Sequence, residues 1–358
     1  MDGQVQGHAG LCQAHAGPPL LGAVAILERA DREALEDEQL APGATRAQGA
    51  GERGRDEAPD EWRTCFEKDR DRILHSNAFR RLAGKTQVFV FPSDHQRTRL
   101  THALEVAQVA RAIATALRLS VALTEAIALG HDCGHGPFGH ASEDALDPLV
   151  PGGFDHAPWG ADVTLASLNL TREVTDGIRN HSWSRPAPAT PEGEVCALAD
   201  RLAYTTHDAE DAARAGIVAL DDLPAVVLER AGRTRSEQLD AFIRDVVVTS
   251  RSTGAVAMSD DLGEAVAALR AWNYERIYLR PASVHQAAMV QRLLQALVEL
   301  YVAHPERLPD EWRAVAAGPR AAVAYVAGMT DRFACAQASR LLGWPEGELP
   351  EGFDRPVG

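Results

Sequence analysis

The chain has 358 residues, of which 45% are hydrophobic and 24% charged, and a formal net charge of −15. That length and balance suit a packed globular protein, best read as one large domain, and exclude a disordered or fibrous chain; the acidic charge argues against a general nucleic-acid binder, so nucleic acid is not an expected partner. Five scattered cysteines (Cys12, Cys65, Cys133, Cys196 and Cys335) with no C-x-x-C pair suggest neither a disulfide framework nor a thiolate zinc site, and point to a reducing compartment.

Residues 1 to about 20, rich in Gly, Ala, Gln and Pro without periodicity, read as a disordered tail. The apolar stretch Leu20 to Leu27 is too short for a signal peptide or a membrane span, so a cytoplasmic protein with no membrane partner is expected. A helix is expected over Leu21 to Leu40. Pro42 to Pro59 reads as a flexible connector with no apolar face, which divides the chain into an N-terminal region, 1–58, and a helical domain, 59–358. Arg63 to Thr101 carries nine Lys and Arg against four Asp and Glu, a local basic run that suits a phosphorylated small molecule, though such runs are commonly solvated helix faces.

Helical periodicity then dominates. Thr101 to Leu119 places Val106, Val109, Ile113 and Leu117 on one stripe headed by His102, and Leu123 to His131 repeats the logic with Leu123, Ile127 and His131. Val195 to Ala215 sets Leu198 and Leu202 on one side and Asp200, Tyr204, His207, Asp208 and Asp211 on the other, a wall that is either solvated or lines a site. Further helices are expected over Leu262 to Tyr278, Ala287 to Ala303 and Arg320 to Leu342. The short Gln87 to Phe91 run (QVFVF) is the only plausible strand material, enough for one hairpin or edge. The fold class is therefore all-α.

Four potential ligands stand out along these helices: His102, the adjacent His131 and Asp132, and Asp200. Two imidazoles and two carboxylates form a mixed nitrogen and oxygen set suited to Mn, Fe, Co, Zn or Mg with an open position, which can polarise a phosphoryl oxygen and activate water. Taken singly, a histidine ending an apolar stripe is more often a core residue; the neighbouring residues change that balance.

The run HDCGHGPFGHASE (His131 to Glu143) resembles the signature of the HD-domain deoxynucleoside triphosphate triphosphohydrolases, the family of dGTPases and dGTPase-like proteins. Blocks at Lys68 to Phe91, Asp94 to Ala114, Leu198 to Ile217 and Tyr325 to Ala334 are similar to that family's in the same order, and the resemblance spans about Glu28 to Leu342. It implies an HD-domain helical bundle with its core at about 97–217, additional C-terminal helices and at most one short hairpin.

By resemblance, His102, His131, Asp132 and Asp200 are the ligands of a divalent metal (Mn, Mg, Fe or Co), in agreement with the helix-based reading. His135, His140 and His156 correspond to active-site histidines, and Glu143 to the acidic partner of His140. Arg99 corresponds to a phosphate ligand, Gln87 to a residue near the sugar, and Tyr204 and Asp208 to residues on the deoxyribose; Arg270 and Tyr278 would face the triphosphate. The implied reaction converts a dNTP to deoxynucleoside and inorganic triphosphate, with a homo-oligomer and a dNTP activator among the implied partners. The rival readings are an HD phosphohydrolase acting on nucleoside monophosphates or alarmones, and a catalytically silent nucleotide sensor. One departure stands out: Ala157 replaces the Asn usual after the GGF-x-H histidine, and the segment before Leu168 is shorter than in the family.

Overall fold

Glu28 starts the first helix, α1 (Arg29–Gln39), where its backbone N–H donates to Asp31 across 3.0 Å. The structure, a computed structural model, describes residues 6–8, 11–13, 21–92, 95–315 and 318–351. The helix expected from Leu21 is shorter at its N-terminal end: Leu21, Val24 and Ile26 precede the cap and are exposed. The start is set by the residue that satisfies a free amide, not by the apolar stretch. Most of the tail expected over residues 1 to about 20 lies outside the described residues; within it Gln6–His8 and Leu11–Gln13 pair as an antiparallel ribbon.

The connector expected to be flexible over Pro42 to Pro59 is instead tied down. Ala44 and Ala47 enter the main core, Arg53 pairs with the fully buried Asp69 at 2.6 Å, and the backbone of Arg53 bridges to Thr171. Charge pairing holds this segment, and a search for an apolar face does not register it.

Ile73 and Phe66 of α2 (Cys65–Leu74) pack against α3 (Arg99–Leu117) and α4 (Val121–Gly130), the apolar centre of the molecule. Ala103, Val106, Ala110 and Ile113 of α3 and Leu123 and Ile127 of α4 are fully buried there, so small and branched residues let the helices approach closely. A left-handed Arg118 ends α3, and Ser120 caps α4, so the two helices turn back on each other within a few residues. Around them stand α5 (His140–Leu146), α6 (Arg172–Asn180) and the long α7 (Pro191–Arg214), which Thr190 caps and Pro191 opens. Then come α8 (Arg235–Thr253), α9 (Asp260–Asn273) and α10 (Pro281–Ala303). Val290, Leu293 and Leu294 of α10 pack on Ala145 and Leu146 of α5 in a second apolar cluster.

The chain is all-α, but two expected elements differ in detail. Gln87 to Phe91 forms no strand; beside it, Thr86 makes only an isolated bridge to Thr98. Phe89 is buried with Leu223, Leu269 and Trp272, whereas Val90 and Phe91 pack against the cluster containing Phe138, so the run is divided between two cores and cannot lie along a sheet edge. The helix expected over Arg320 to Leu342 is broken into α11 (Pro319–Ala327), α12 (Asp331–Gln337) and a π turn at Ala338–Leu342. The break frees Asp331, whose carboxylate accepts from the Thr86 N–H at 2.8 Å, the Thr86 hydroxyl at 2.6 Å and the Phe138 N–H at 2.7 Å. One buried side chain thus joins the C-terminal helices to both segments that frame the site.

Candidate active site

The first turn of α3 carries Arg99 and His102 inward, and α4 ends directly into His131 and Asp132. Asp200 reaches the same point from the middle of α7. Nε2 of His102 lies 3.3 Å from Nε2 of His131 and 3.1 Å from Oδ1 of Asp200, while His131 Nε2 is 3.7 Å from that oxygen. Asp132 lies 3.6 Å from His102 and 3.4 Å from His131. Four donors from three elements therefore converge. The Nδ1–H of His131 donates to the Ala128 carbonyl at 2.7 Å, which leaves the Nε2 lone pair directed at the cluster. This donor set fits a divalent cation.

The electrostatics match such a site. Burial pushes the Asp132 carboxyl up, but the nearby Arg99, His131 and His135 outweigh it and hold it well below the usual carboxylate range. Burial likewise opposes ionisation of Asp200, and its hydrogen bonds to His102 and His131 prevail. For His131 burial lowers the pKa, while Asp132 and Asp200, the same acids that would face a cation, raise it to about 9.

The glycine-rich turn after Asp132 folds onto this cluster. Gly139 has a φ of +63°, and a Cβ there would stand 2.5 Å from Nη2 of Arg99. At Gly134 a Cβ would meet the His156 carbonyl oxygen at 1.9 Å, so the turn and the helix carrying His156 touch backbone to backbone. His135 approaches Asp132 at 3.2 Å, and its ring stacks on that of His156 with centroids 3.7 Å apart. Glu143 accepts from His140 Nδ1 with one oxygen at 2.7 Å, and with the other from His156 Nδ1 at 2.7 Å and the His156 N–H at 3.0 Å. Although burial opposes it, the adjacent imidazoles hold Glu143 well below its ordinary range. The His140 and Glu143 pair read from the sequence is therefore a triad with His156, and His140 is its exposed member.

A cavity of about 640 Å³ opens above the cluster. Gln87, Arg99, His102 and Asp132 lie on its wall, as do His135, His140, His156 and Asp200. Tyr204, Asp208, Arg270 and Tyr278 line the far side. His131 and Glu143 act from behind it. Arg99 spends Nη1 on Asp132 at 2.6 Å, while its Nε and Nη2 are buried without partners; the Gln87 carbonyl oxygen is likewise unpartnered. Arg270 Nε donates to the Tyr204 hydroxyl at 3.1 Å, and a π turn at Tyr274–Tyr278 swings Tyr278 onto Asp208 at 2.5 Å. Burial pushes Asp208 up to about 8. His207 and Asp211, from the same polar sector of α7, are instead committed beneath the site, to Glu105 at 2.8 Å and to Arg97.

Three neighbours of the cavity were not singled out from the sequence. Arg201, next to Asp200, lies over the Trp183 ring at 3.5 Å, and both line the wall. His181, at the end of α6, is buried with Nε2 only 3.1 Å from Nε2 of His156. The available signal was the series of histidines between Asp132 and Asp200. The departure at Ala157 is accommodated without loss of His156: Ala157 is fully buried, and Trp159 packs on Phe154 with centroids 4.8 Å apart.

Comparison with known proteins agrees with this arrangement. Residues 99–205 match the HD domain, and residues 256–340 match the phosphohydrolase-associated domain. The chain is similar to a deoxyguanosinetriphosphate triphosphohydrolase-like protein of Caldanaerobacter subterraneus, at 43% identity covering 89% of this chain and 95% of the relative. Proteins of the same description from Clostridium perfringens (42% identity, 81% and 90% covered) and Desulfatibacillum aliphaticivorans (38%, 87% and 97%) are also similar. Among the described residues no helix is long and apolar enough to cross a membrane.

Proposed function

The chain belongs to the family of deoxyguanosinetriphosphate triphosphohydrolase-like proteins and is a metal-dependent phosphohydrolase, and from that premise we propose that it hydrolyses a deoxynucleoside triphosphate to deoxynucleoside and inorganic triphosphate. The observation that carries the proposal is the meeting of His102 Nε2, His131 Nε2 and Asp200 Oδ1 within 3.1 to 3.7 Å at the floor of a cavity, beside an arginine with unspent N–H groups.

His102, His131, Asp132 and Asp200 would hold the cation. When bound it supplies Lewis-acid polarisation of the phosphoryl group and of the attacking water. Arg99 directs its free Nε and Nη2 donors to the α-phosphate; a planar guanidinium already fixed by Asp132 pays little further ordering cost on binding. Water adds to the α-phosphorus and gives up a proton to solvent, the bond from that phosphorus to the 5′-oxygen breaks, and triphosphate leaves intact with the water's oxygen on its α-phosphorus. The 5′-oxygen needs a proton. His140, oriented through Nδ1 by Glu143, presents Nε2 as the group that delivers it. His156 shares that carboxylate and fixes its rotamer, while His135, with a buried unpartnered Nδ1, steadies the triphosphate. Elsewhere on the lining Gln87, Tyr204 and Asp208 address the sugar, and Arg270 with Tyr278 the distal phosphates.

Incubation of the purified protein with Mn and each dNTP, singly and mixed, with chromatography of the products, tests the reading. Inorganic triphosphate together with the deoxynucleoside is expected. Release of monophosphate or pyrophosphate instead, or turnover confined to a nucleoside monophosphate, would overturn it.

A further inference from the structure

Two buried charged side chains, Lys85 and Asp331, take no part in the chemistry above, and both reach out of their own segments to the glycine-rich turn after Asp132. Lys85 Nζ donates to the His135 carbonyl and, at 3.0 Å, to that of Ala327 at the end of α11. Oδ1 of Asp331 accepts from the Phe138 N–H at 2.7 Å, while Oδ2 accepts from the Thr86 N–H and hydroxyl. Asp331 is the first residue of α12, where a carboxylate ordinarily answers the free amides of its own helix; here all three bonds go elsewhere. Gly84 makes the approach possible, since a Cβ there would stand 2.8 Å from Cγ2 of Thr330.

What these charges hold is strained backbone. Phe138 has a φ of 65° and Gly139 one of 63°, two left-handed residues in succession directly before His140 opens α5. Glycine adopts that conformation freely, and phenylalanine resists it. Phe91, itself at a φ of 49°, packs edge to face on the Phe138 ring with centroids 6.0 Å apart. The guanidinium of Arg332 in turn lies 5.1 Å from the centre of the Phe91 ring. Asp331 and Arg332, adjacent in α12, thus act on the amide of Phe138 and, through Phe91, on its ring.

We infer that Asp331, assisted by Lys85, is a positioning residue: it holds Phe138 in the left-handed conformation and thereby aims His140, the first residue of α5, at the cavity. The same carboxylate anchors Thr86, the residue before Gln87, so one buried group sets two edges of the site. The inference rests on the assignment of His140 as the group that protonates the 5′-oxygen. An amide cannot stand in for the carboxylate, because in Asp331→Asn one end of the side chain is an NH2 that confronts an N–H of either Phe138 or Thr86.

Hydrogen exchange and kinetics on the full chain test it together. In Asp331→Asn, amide exchange across residues 134–141 should quicken by roughly tenfold or more, the worth of a hydrogen bond to a charged acceptor, while α3 keeps its wild-type protection. Turnover of a dNTP with Mn present should fall roughly 10²-fold, with metal content intact. Added to His140→Ala, Asp331→Asn should lower the rate by less than about twofold more, because a misaimed side chain that is already absent cannot be lost twice. Should Asp331→Asn not fold, Lys85→Met, which replaces a buried ammonium by an apolar chain of similar length, carries the same exchange and kinetic expectations. Unchanged exchange in the turn, or losses that multiply in the double variant, would overturn the inference. If the wild type releases triphosphate from no dNTP, the hydrolase reading fails; quickened exchange would then leave the clamp on the turn standing without it, and unchanged exchange would end both.

Discussion

Arg99 donates through Nη1 to Oδ2 of Asp132 across 2.6 Å, and both side chains are buried. The pair links the one guanidinium among the expected phosphate ligands that is fully buried to a residue of the candidate cation cluster. Arg99→Ala therefore removes the largest favourable charge beside a buried carboxylate, and in the metal-free protein it should lose roughly 3 kcal/mol of stability, measured by chemical denaturation. Arg99→Lys keeps the charge but not the planar fork; it should fold and show a raised KM for nucleotide. A denaturation midpoint in Arg99→Ala equal to that of the wild type would remove this pair from the account.

Substituting either His131 or Asp132 with Ala should bring turnover to background and lower metal content together. Treatment with a chelator should do the same reversibly. Activity near the wild-type level in either variant, in the presence of Mn, would displace the site.

His140→Ala should cost a factor of about 10² to 10⁴ in rate, with metal content intact, because His140 touches Glu143 and the cavity but none of the four ligands within hydrogen-bonding distance. Steady-state kinetics beside elemental analysis separates the two effects. A parallel loss of metal would show that His140 supports the cation site instead.

Asp208 yields a pH dependence of known sign. Burial raises its folded-state pKa to about 8, above the unfolded value of about 3.9. The folded state favours the proton, so this contribution to stability is fully present below about pH 3.9 and is lost as pH rises through about 8. His207, whose Nδ1 meets Glu105 at 2.8 Å, places Nε2 3.3 Å from Asp208 Oδ1, with no hydrogen bond between them. Asp208→Asn mimics the protonated form. Its stability relative to the wild type should rise steadily between about pH 4 and pH 8, and a difference flat across that range in paired denaturation curves would contradict the assignment.

Glycines give a paired test of backbone contact. Gly134→Ala places a Cβ 1.9 Å from the His156 carbonyl oxygen and should destabilise by about 2 kcal/mol or more while reducing activity. Gly263→Ala, inside α9 with no atom within 4 Å of the added Cβ, should stabilise by about 0.5 to 1 kcal/mol. Equal melting shifts in the two variants would refute the contact between the turn and the His156 helix.

The all-α class and the four residues that converge at the cavity floor were legible in the chain because they are written in local chemistry. Apolar stripes at helical spacing, and His131 and Asp132 at the end of a buried face, each depend on a few adjacent residues. What the tertiary structure decided depends on residues far apart in sequence. Periodicity assigned His207 and Asp211 to the same polar sector as Asp200, yet Glu105 and Arg97 withdraw them from the cavity. Alternation suggested a strand at Gln87 to Phe91, and two separate cores divided it. Composition made Pro42 to Pro59 a connector, and the buried Asp69 fastened it through Arg53. His181 carries no local signature at all; only the packing of α6 against the turn after α4 brings its Nε2 to that of His156. Local propensity reports what a segment can bury or cap, whereas pairing between distant charges and lone pairs is fixed only when the chain has closed around them.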